Sequence, residues 1–419
     1  MSSADALKIT MVLTRFHPYV GGAENQAHLQ GAELARRGHE VSVVTWRPSL
    51  DLPARDIIDQ VTVHRVNLDE RFPMAILSGA RMGVRLLRSV WRADVVIAHQ
   101  VNLPGHLAAW ISWALRRPVI AKVAISLDMP GIEFNPSRSG SFADRFRRRG
   151  VDFLARHGTL IAMTSDIEAG LRALGARRIV RIPNGVEAPP PSDQTKFRAS
   201  LLAGLNVPAD AALVVAAGRL TAQKRFDVVL RAWQCSGAAG HRLLILLGTG
   251  PDLEKLRLLA TDLSISSTAR FLAVDAARSR QIIGAADVLV VASRYEGMSN
   301  VMLEAMAAGV PVISTPVSGA VDLIRDGING RLVPHDDPDA MGAAIQEVLE
   351  APGNIGAMGR STVLDSCRMD HVVDLYERLF HNVRSVPRGV LNPLELLQMP
   401  LPVPPLSAQE TQWRTKGSR

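Results

Sequence analysis

Cysteine is nearly missing from this chain: Cys235 and Cys367 are the two thiols in 419 residues, far apart and in no CxxC or Cys/His cluster. That excludes a disulfide framework and a cysteine-based metal site, and it fits a reducing, cytosolic setting. Aromatic residues are scarce too, at 5%. A nucleic-acid binder interleaves aromatic faces with its basic groups, so nucleic acid is not an expected partner. No apolar stretch approaches the roughly 20 residues of a membrane span; the longest, Leu107–Leu115, has the length of a core helix. The opening MSSADALKIT carries Asp5 and leads into a strand, so no signal peptide is expected. GxGxxG and the Walker Lys-Ser/Thr are both absent, which argues against dinucleotide and P-loop sites.

What is present is a globular, basic composition. A hydrophobic content of 47% supports a sizeable core, and 419 residues suit two domains of roughly 150–200 residues each. The net charge of +8 asks for an anionic partner, either a phosphorylated substrate or an anionic membrane surface.

Short apolar strands alternate with amphipathic helices almost from end to end, the pattern of parallel α/β sheets. In the first half, strand-like runs fall at Lys8–Leu13, Glu40–Thr45, Val61–Val66, Asp94–Ala98, Pro118–Val123, Thr159–Met163 and Arg178–Ile182. Helical patterns lie between them, such as Ala23–Arg37 before Gly38 and Asp166–Leu174 before Gly175. Pro183-Asn184-Gly185 and then Pro189-Pro190-Pro191 break the pattern and read as a hinge. A second series follows: strands at Ala212–Ala217, Arg242–Leu247, Arg270–Leu272, Asp287–Val291, Val310–Ser314 and Gly330–Val333, with helices at Lys224–Cys235, Asp252–Asp262, Asn300–Ala308 and Asp337–Leu349. The expected architecture is two doubly wound, Rossmann-like parallel sheets facing across a cleft. The expected bounds are 1–187 for the first domain, 188–368 for the second, 369–386 for a closing helix, and 387–419 for a proline-rich, disordered tail.

Three clusters carry candidate chemistry. Gly21-Gly22-Ala23-Glu24 opens a helix after the first strand, where backbone N–H groups and the positive helix end suit an anion. For two glycines alone, a plain strand-to-helix turn is the stronger reading. Gly218-Arg219-Leu220 with Lys224 places two cations just past a buried strand, a planar donor and a point charge fit for a diphosphate; solvated loop cations are the alternative. Third is the block Tyr295 to Met306, with Glu296 on a loop, Met298, Ser299 and Asn300 at a helix start, and Glu304 one turn in. The helix start suits phosphate oxygens, and Glu304, which accepts only, suits a pair of neighbouring hydroxyls such as a ribose diol.

Taken in order, these motifs resemble family 4 of the retaining glycosyltransferases, of GT-B fold, from about Ile9 to about Leu379. Arg37-Gly38-His39-Glu40-Val41, Ile182 to Glu187, Gly248-Thr249-Gly250-Pro251 and the block Ala286 to Pro334 add to it. The resemblance implies transfer with retention at the anomeric carbon, no metal and no cofactor, from a UDP- or GDP-linked sugar to a carbohydrate or lipid-linked acceptor. It also implies that Arg219 and Lys224 bind the donor diphosphate, that Glu296 faces the donor sugar, and that Glu304 holds the ribose. The glycine loop (Gly21, Gly22), Gly250, and the helix start at Met298, Ser299 and Asn300 complete the donor site. His99 matches a site-lining histidine of the family. Ala124 stands where many members carry another histidine, and Asp128 follows it nearby.

The expected localisation is cytoplasmic, peripheral at the inner face of the membrane. Two basic amphipathic segments in the first domain, Met74–Trp91 with Arg81, Arg85 and Arg88, and the Arg145–Arg149 run, suit an anionic membrane surface. Two competing readings are a sugar-nucleotide epimerase of similar build and a non-enzymatic basic membrane-surface protein.

Overall fold

The computed structural model describes residues 6–19, 21–69, 71, 74–123, 142–189, 194–237 and 241–385. They form two compact units. One runs up to Gly185 and takes back the chain from Met369; the other is Val186–Arg368.

The strands of the first unit are β1 Lys8–Val12, β2 Glu40–Arg47, β3 Arg55–Ile58, β4 Val61–Asn67, β5 Val95–Ala98, β6 Val119–Val123, β7 Thr159–Ala162 and β8 Ile179–Arg181. Its helices are α1 Gly22–Arg36, α2 Met74–Arg92, α3 Leu103–Ala114, α4 Phe142–His157 and α5 Ser165–Ala173. The sheet order is β3-β4-β2-β1-β5-β6-β7-β8, all parallel except β3, which returns antiparallel on β4. β5 is buried at every position, as a parallel strand covered on both faces must be. The chain winds outward from β1 in both directions, so a switch point lies between β1 and β5.

The edge strand β3 was not expected from the sequence. Asp59 and Gln60, both at positive φ, make the tight turn that folds it onto β4.

The second unit comprises α6 Gln194–Gly204, β9 Ala212–Ala217, α7 Phe226–Cys235, β10 Arg242–Leu247, α8 Leu253–Asp262, β11 Ala269–Leu272 and α9 Ala276–Gly284. It continues with β12 Val288–Val291, α10 Asn300–Ala308, β13 Val312–Ser314, α11 Ser318–Leu323, β14 Arg331–Leu332, α12 Pro338–Glu350 and α13 Ile355–Ser366. Its sheet runs β11-β10-β9-β12-β13-β14, parallel throughout, with the switch point between β9 and β12. The helix expected from Lys224 begins later, at Phe226, because Arg225 is left-handed (φ 50°) and separates it from a 3₁₀ turn at Ala222–Lys224.

α14, Met369–Ser385, belongs to the first unit. Its Val372, Val373, Leu375, Tyr376, Leu379 and Phe380 share a core with Ile9, Met11, Val43 and Ile97. The Arg37-Gly38-His39 motif anchors it. Gly38 (φ 94°) closes α1, Arg37 donates to Glu377 at 2.9 Å and to Glu33 at 2.8 Å, and His39 lies 2.9 Å from Glu377. Because the His39 Nδ1 accepts from the Leu7 N–H at 3.1 Å, its Nε2 carries the proton and donates to the carboxylate.

On either side of the crossover from Gly185 to Val186 the backbone is bonded within its own unit. In the first unit Gln26 makes two bonds to Gly185, donating to its carbonyl at 2.7 Å and accepting from its N–H at 2.9 Å. In the second, the Val186 N–H donates to the Cys367 carbonyl at 2.8 Å.

Candidate active site

Ligands of doubly wound sheets bind beyond the strand C-termini at the switch point. In the second unit that place is defined by the loops after β9 and β12. Past β9 the chain turns through Gly218 and Arg219 to Lys224; past β12 it runs through Ser293 to Ser299 and into α10. The two loops are tied together: the Arg294 N–H donates to the Gln223 carbonyl at 2.9 Å, and the Gln223 amide donates to the Tyr295 carbonyl at 2.8 Å.

Lys224 Nζ donates to Glu296 Oε1 at 2.6 Å, with both side chains largely buried. The Ser293 hydroxyl donates to the same oxygen. Oε2 of Glu296 therefore keeps its acceptor capacity, and Lys224 is held at one point with donors left over. Arg219 is exposed; its carbonyl accepts from the Thr221 hydroxyl at 3.4 Å, while its guanidinium has no hydrogen-bond or ion-pair partner among the described residues.

Close backbone approach shapes this end of the sheet. Gly248 (φ 138°) lies against the Gly218 carbonyl, and a Cβ on Gly250 would fall 2.6 Å from the Leu220 N. Only glycine allows the loops after β9 and β10 to pack so tightly.

α10 starts at Asn300 and stops at Gly309, which is left-handed (φ 81°). Ser299 is its N-cap, buried, yet makes no side-chain cap, and a helix start leaves its first N–H groups without intrahelical acceptors. Met298 is buried beneath it, and Gly297 accepts from the Gly319 N–H at 2.7 Å. Glu304 sits one turn in. Burial pushes its carboxyl up to about 7, Glu187 pushes the same way, and Arg280 opposes them.

The structure therefore brings Arg219, Lys224, Glu296, Met298, Ser299, Asn300, Glu304 and Gly250 to one end of one sheet. The remaining expected residues lie in the first unit. Gly21 is the extended N-cap of α1, and the Glu24 carboxylate folds against it, close enough that a Cβ on Gly21 would collide with Oε2. An incoming phosphate at that helix start would have to move this carboxylate.

His99 is buried, with its Nε2 unpartnered, and is pushed down to about 3, chiefly by burial and also by Lys122. Ala124 and Asp128 lie outside the described residues, as do the side chains of Arg145 and Arg147, the hinge residues Pro190 and Pro191, and the tail from residue 386.

Sequence reasoning missed Ser293, Gln223 and Lys122. Lys122, buried within β6, donates to Asn184 Oδ1 at 2.8 Å, and burial pushes its amine down to about 7. A lysine inside an otherwise apolar strand was the available signal. Ser293 and Gln223 left none, because their partners are reached only through loop geometry. Among the described residues no group of three His, Cys, Asp or Glu side chains converges, and no helix is long and apolar enough to cross a membrane.

Two family models match the chain: "Glycosyl transferase 4-like domain" over residues 21–185 and "Glycosyl transferases group 1" over residues 211–351. The lipopolysaccharide core biosynthesis glycosyltransferase LpsE of Rhizobium meliloti is 28% identical over 382 residues, covering 88% of this chain and 98% of LpsE. A D-inositol 3-phosphate glycosyltransferase of Saccharomonospora viridis is 28% identical over 364 residues, covering 79% of this chain and 82% of that one. Among solved structures, HepE of Anabaena in complex with UDP-glucose superposes with a TM-score of 0.73 at 19% identity, covering 90% of this chain and 100% of HepE. That likeness is one of fold.

Proposed function

The chain belongs to the glycosyl transferases of GT-B fold, and on that premise we propose that it moves a sugar from a nucleoside-diphosphate donor with retention of anomeric configuration. The donor sits at the β9/β12 switch point, and the acceptor is a lipid-linked saccharide or a polysaccharide. The convergence of Arg219, the Lys224–Glu296 pair and the α10 start at one place carries this reading.

In the reaction the acceptor oxygen bonds to the anomeric carbon on the face from which the donor phosphate departs. The electron pair of the broken C–O bond goes to the phosphate, and the acceptor proton follows to a phosphate oxygen. Arg219 and Lys224 are aimed at the charge that develops on the leaving diphosphate, together with the α10 helix end. On this account the protein's own cations replace a divalent ion. Glu296 offers Oε2 to the donor sugar's hydroxyls, and Glu304 accepts from the ribose diol. His99 lines the acceptor side, and Asp128 is not the general base.

HepE's complex with UDP-glucose makes UDP-linked donors the first to test, with GDP-linked donors beside them. LpsE's place in lipopolysaccharide core synthesis favours a lipid-linked acceptor, which sets the enzyme at the inner face of a membrane.

A thermal-shift screen across nucleoside-diphosphate sugars tests the donor site, since a ligand at a hundred times its Kd stabilises by about 2.7 kcal/mol. The anomeric proton coupling of the product then reads the stereochemistry. An inverted product refutes retention, and activity abolished by a chelator refutes metal independence.

A further inference from the structure

A cluster of cations in the first unit takes no part in the donor site. α2 carries Arg81, Arg85, Arg88 and Arg92 and no acidic residue. It packs over β4. Arg55 of the edge strand β3 stands directly opposite His64 of β4, and residues opposite each other share a face of the sheet. That face is the reverse of the one where Val61 and Val63 enter the core, so it is the face α2 covers. Arg85 of α2 lies near enough to this pair for their charges to act on one another. Its buried Nε has no hydrogen-bond partner, and its guanidinium is pushed below the usual arginine range by burial and by Arg88, Arg55 and Arg92. His64 is pushed down to about 4 by burial, then by Arg85 and Arg55. No carboxylate contributes to either group. Cations gathered in this way repel one another, and an anion with several acceptor oxygens would both satisfy Nε and offset the repulsion.

Beside the cluster, α2 buries Met82, Leu86 and Val90 as an ordinary surface helix does, yet it carries a second set of apolar side chains on its outer face. Ser78 and Ser89 are buried, whereas Ile76 (65% exposed), Trp91 (67%), Leu77, Val84 and Leu87 face outward. Ile57 of β3, also 67% exposed, extends the apolar surface past the helix.

We propose that α2 and the β3–β4 edge form a docking surface for phosphate-bearing anionic lipid. The Arg55–His64–Arg85 cluster takes the headgroup phosphate, while Ile76, Leu87 and Trp91 enter the boundary between headgroups and acyl chains. The inference deepens the membrane placement given above and rests on that reading for its purpose. The occupant follows from the chemistry of the patch. A single exposed ring, Trp91, among aliphatic side chains gives successive bases no stacking platform, and a second copy would bring the same arginines face to face. A lipid surface meets both halves of the patch at once, negative charge for the arginines and hydrocarbon for the exposed isoleucine and tryptophan.

Full-length protein is co-sedimented with phosphatidylcholine vesicles and with vesicles containing phosphatidylglycerol. Binding is expected only to the anionic vesicles, weakening as salt is raised. Arg55→Gln and Arg85→Gln should each weaken it about fivefold. The exposed-site variants Leu87→Ser and Trp91→Ser should weaken it about tenfold or more, and these two can be read even if Arg85→Gln fails to fold. Inorganic phosphate at matched ionic strength should compete only weakly, because it lacks the acyl chains. Equal binding to zwitterionic vesicles, failure to bind anionic vesicles at low salt, full displacement by inorganic phosphate, preference for a single-stranded oligonucleotide, or unchanged binding by the serine variants would each overturn the proposal. The nucleotide-sugar thermal shift, run on the same samples, separates the two readings. If it persists while vesicle binding fails, the docking surface alone is wrong; if it is absent from the unmodified protein while vesicles bind, the donor reading is the one that fails.

Discussion

Replacing Glu304 with glutamine sets fold stability against donor binding, and the two responses run in opposite directions with pH. An exposed glutamate ionises near 4.5, whereas Glu304 ionises at about 7, chiefly through burial and with Glu187 adding to it. The folded chain therefore holds this proton more tightly than the unfolded chain. The stabilisation this provides is complete below 4.5 and is lost as pH rises through 7. At pH 8 the burial of an ionised carboxylate costs about 3 kcal/mol, and at pH 5 less than about 1 kcal/mol. Solvent at the partly exposed side chain reduces the larger figure to roughly 2–3 kcal/mol.

Glutamine keeps the shape and never ionises. Glu304→Gln should thus raise stability at pH 8 by roughly 2–3 kcal/mol and at pH 5 by little. Donor affinity should move the other way, falling about 10–100-fold at pH 8, because the amide oxygen replaces a charged acceptor of two hydroxyls. In the unmodified protein, donor affinity should fall about tenfold per pH unit below 7, as only the ionised form binds; in the variant that slope should vanish. Differential scanning fluorimetry at the two pH values reads the first effect and isothermal titration the second. A variant no more stable at pH 8 than the unmodified protein, or equally stabilised at both pH values, refutes the burial argument. A pH slope that survives the substitution refutes the ribose assignment.

Arg219→Ala and Lys224→Ala should each lower turnover on the order of a hundredfold or more, as for loss of one preorganised electrostatic contact; near-normal turnover in both would move the diphosphate elsewhere. Gly250→Ala drives a Cβ to 2.6 Å from the Leu220 backbone N and should cost about 1–3 kcal/mol in thermal unfolding, so an unchanged transition would show that the loop relaxes freely. Asp128→Asn should slow turnover by about tenfold or less, against roughly 10²–10⁴-fold for a true general base. A thousandfold loss with donor binding intact would reassign the proton to Asp128.

The strand-and-helix alternation, and with it the two α/β sheets, was legible because buried parallel strands are apolar at every position and their helices are bounded by local chemistry. α10 illustrates this: Asn300 to Ala308, stopped by Gly309, follows from residues that act within one turn of themselves. The break at Pro183-Asn184-Gly185 likewise falls where the first unit hands over to the second, since proline and glycine act on their own backbone. Arg219, Lys224, Glu296 and Glu304 could be named in advance as chemically suited residues, each by its place just past a strand or within the first turns of a helix.

Only the tertiary structure decided what those residues touch. Ser293 and Lys224 share one oxygen of Glu296, Glu24 covers Gly21, and Lys122 reaches Asn184 across 62 positions. The Arg37-Gly38-His39 motif, visible early, turned out to grip a helix more than 330 residues away in the chain. Arg85, grouped by sequence with Arg81 and Arg88 on one basic face of α2, lies half-buried near His64 while Trp91 turns out. Local propensity acts over a few residues, whereas partners, burial and proton affinity depend on which distant segments pack together, and that is settled when the whole core closes.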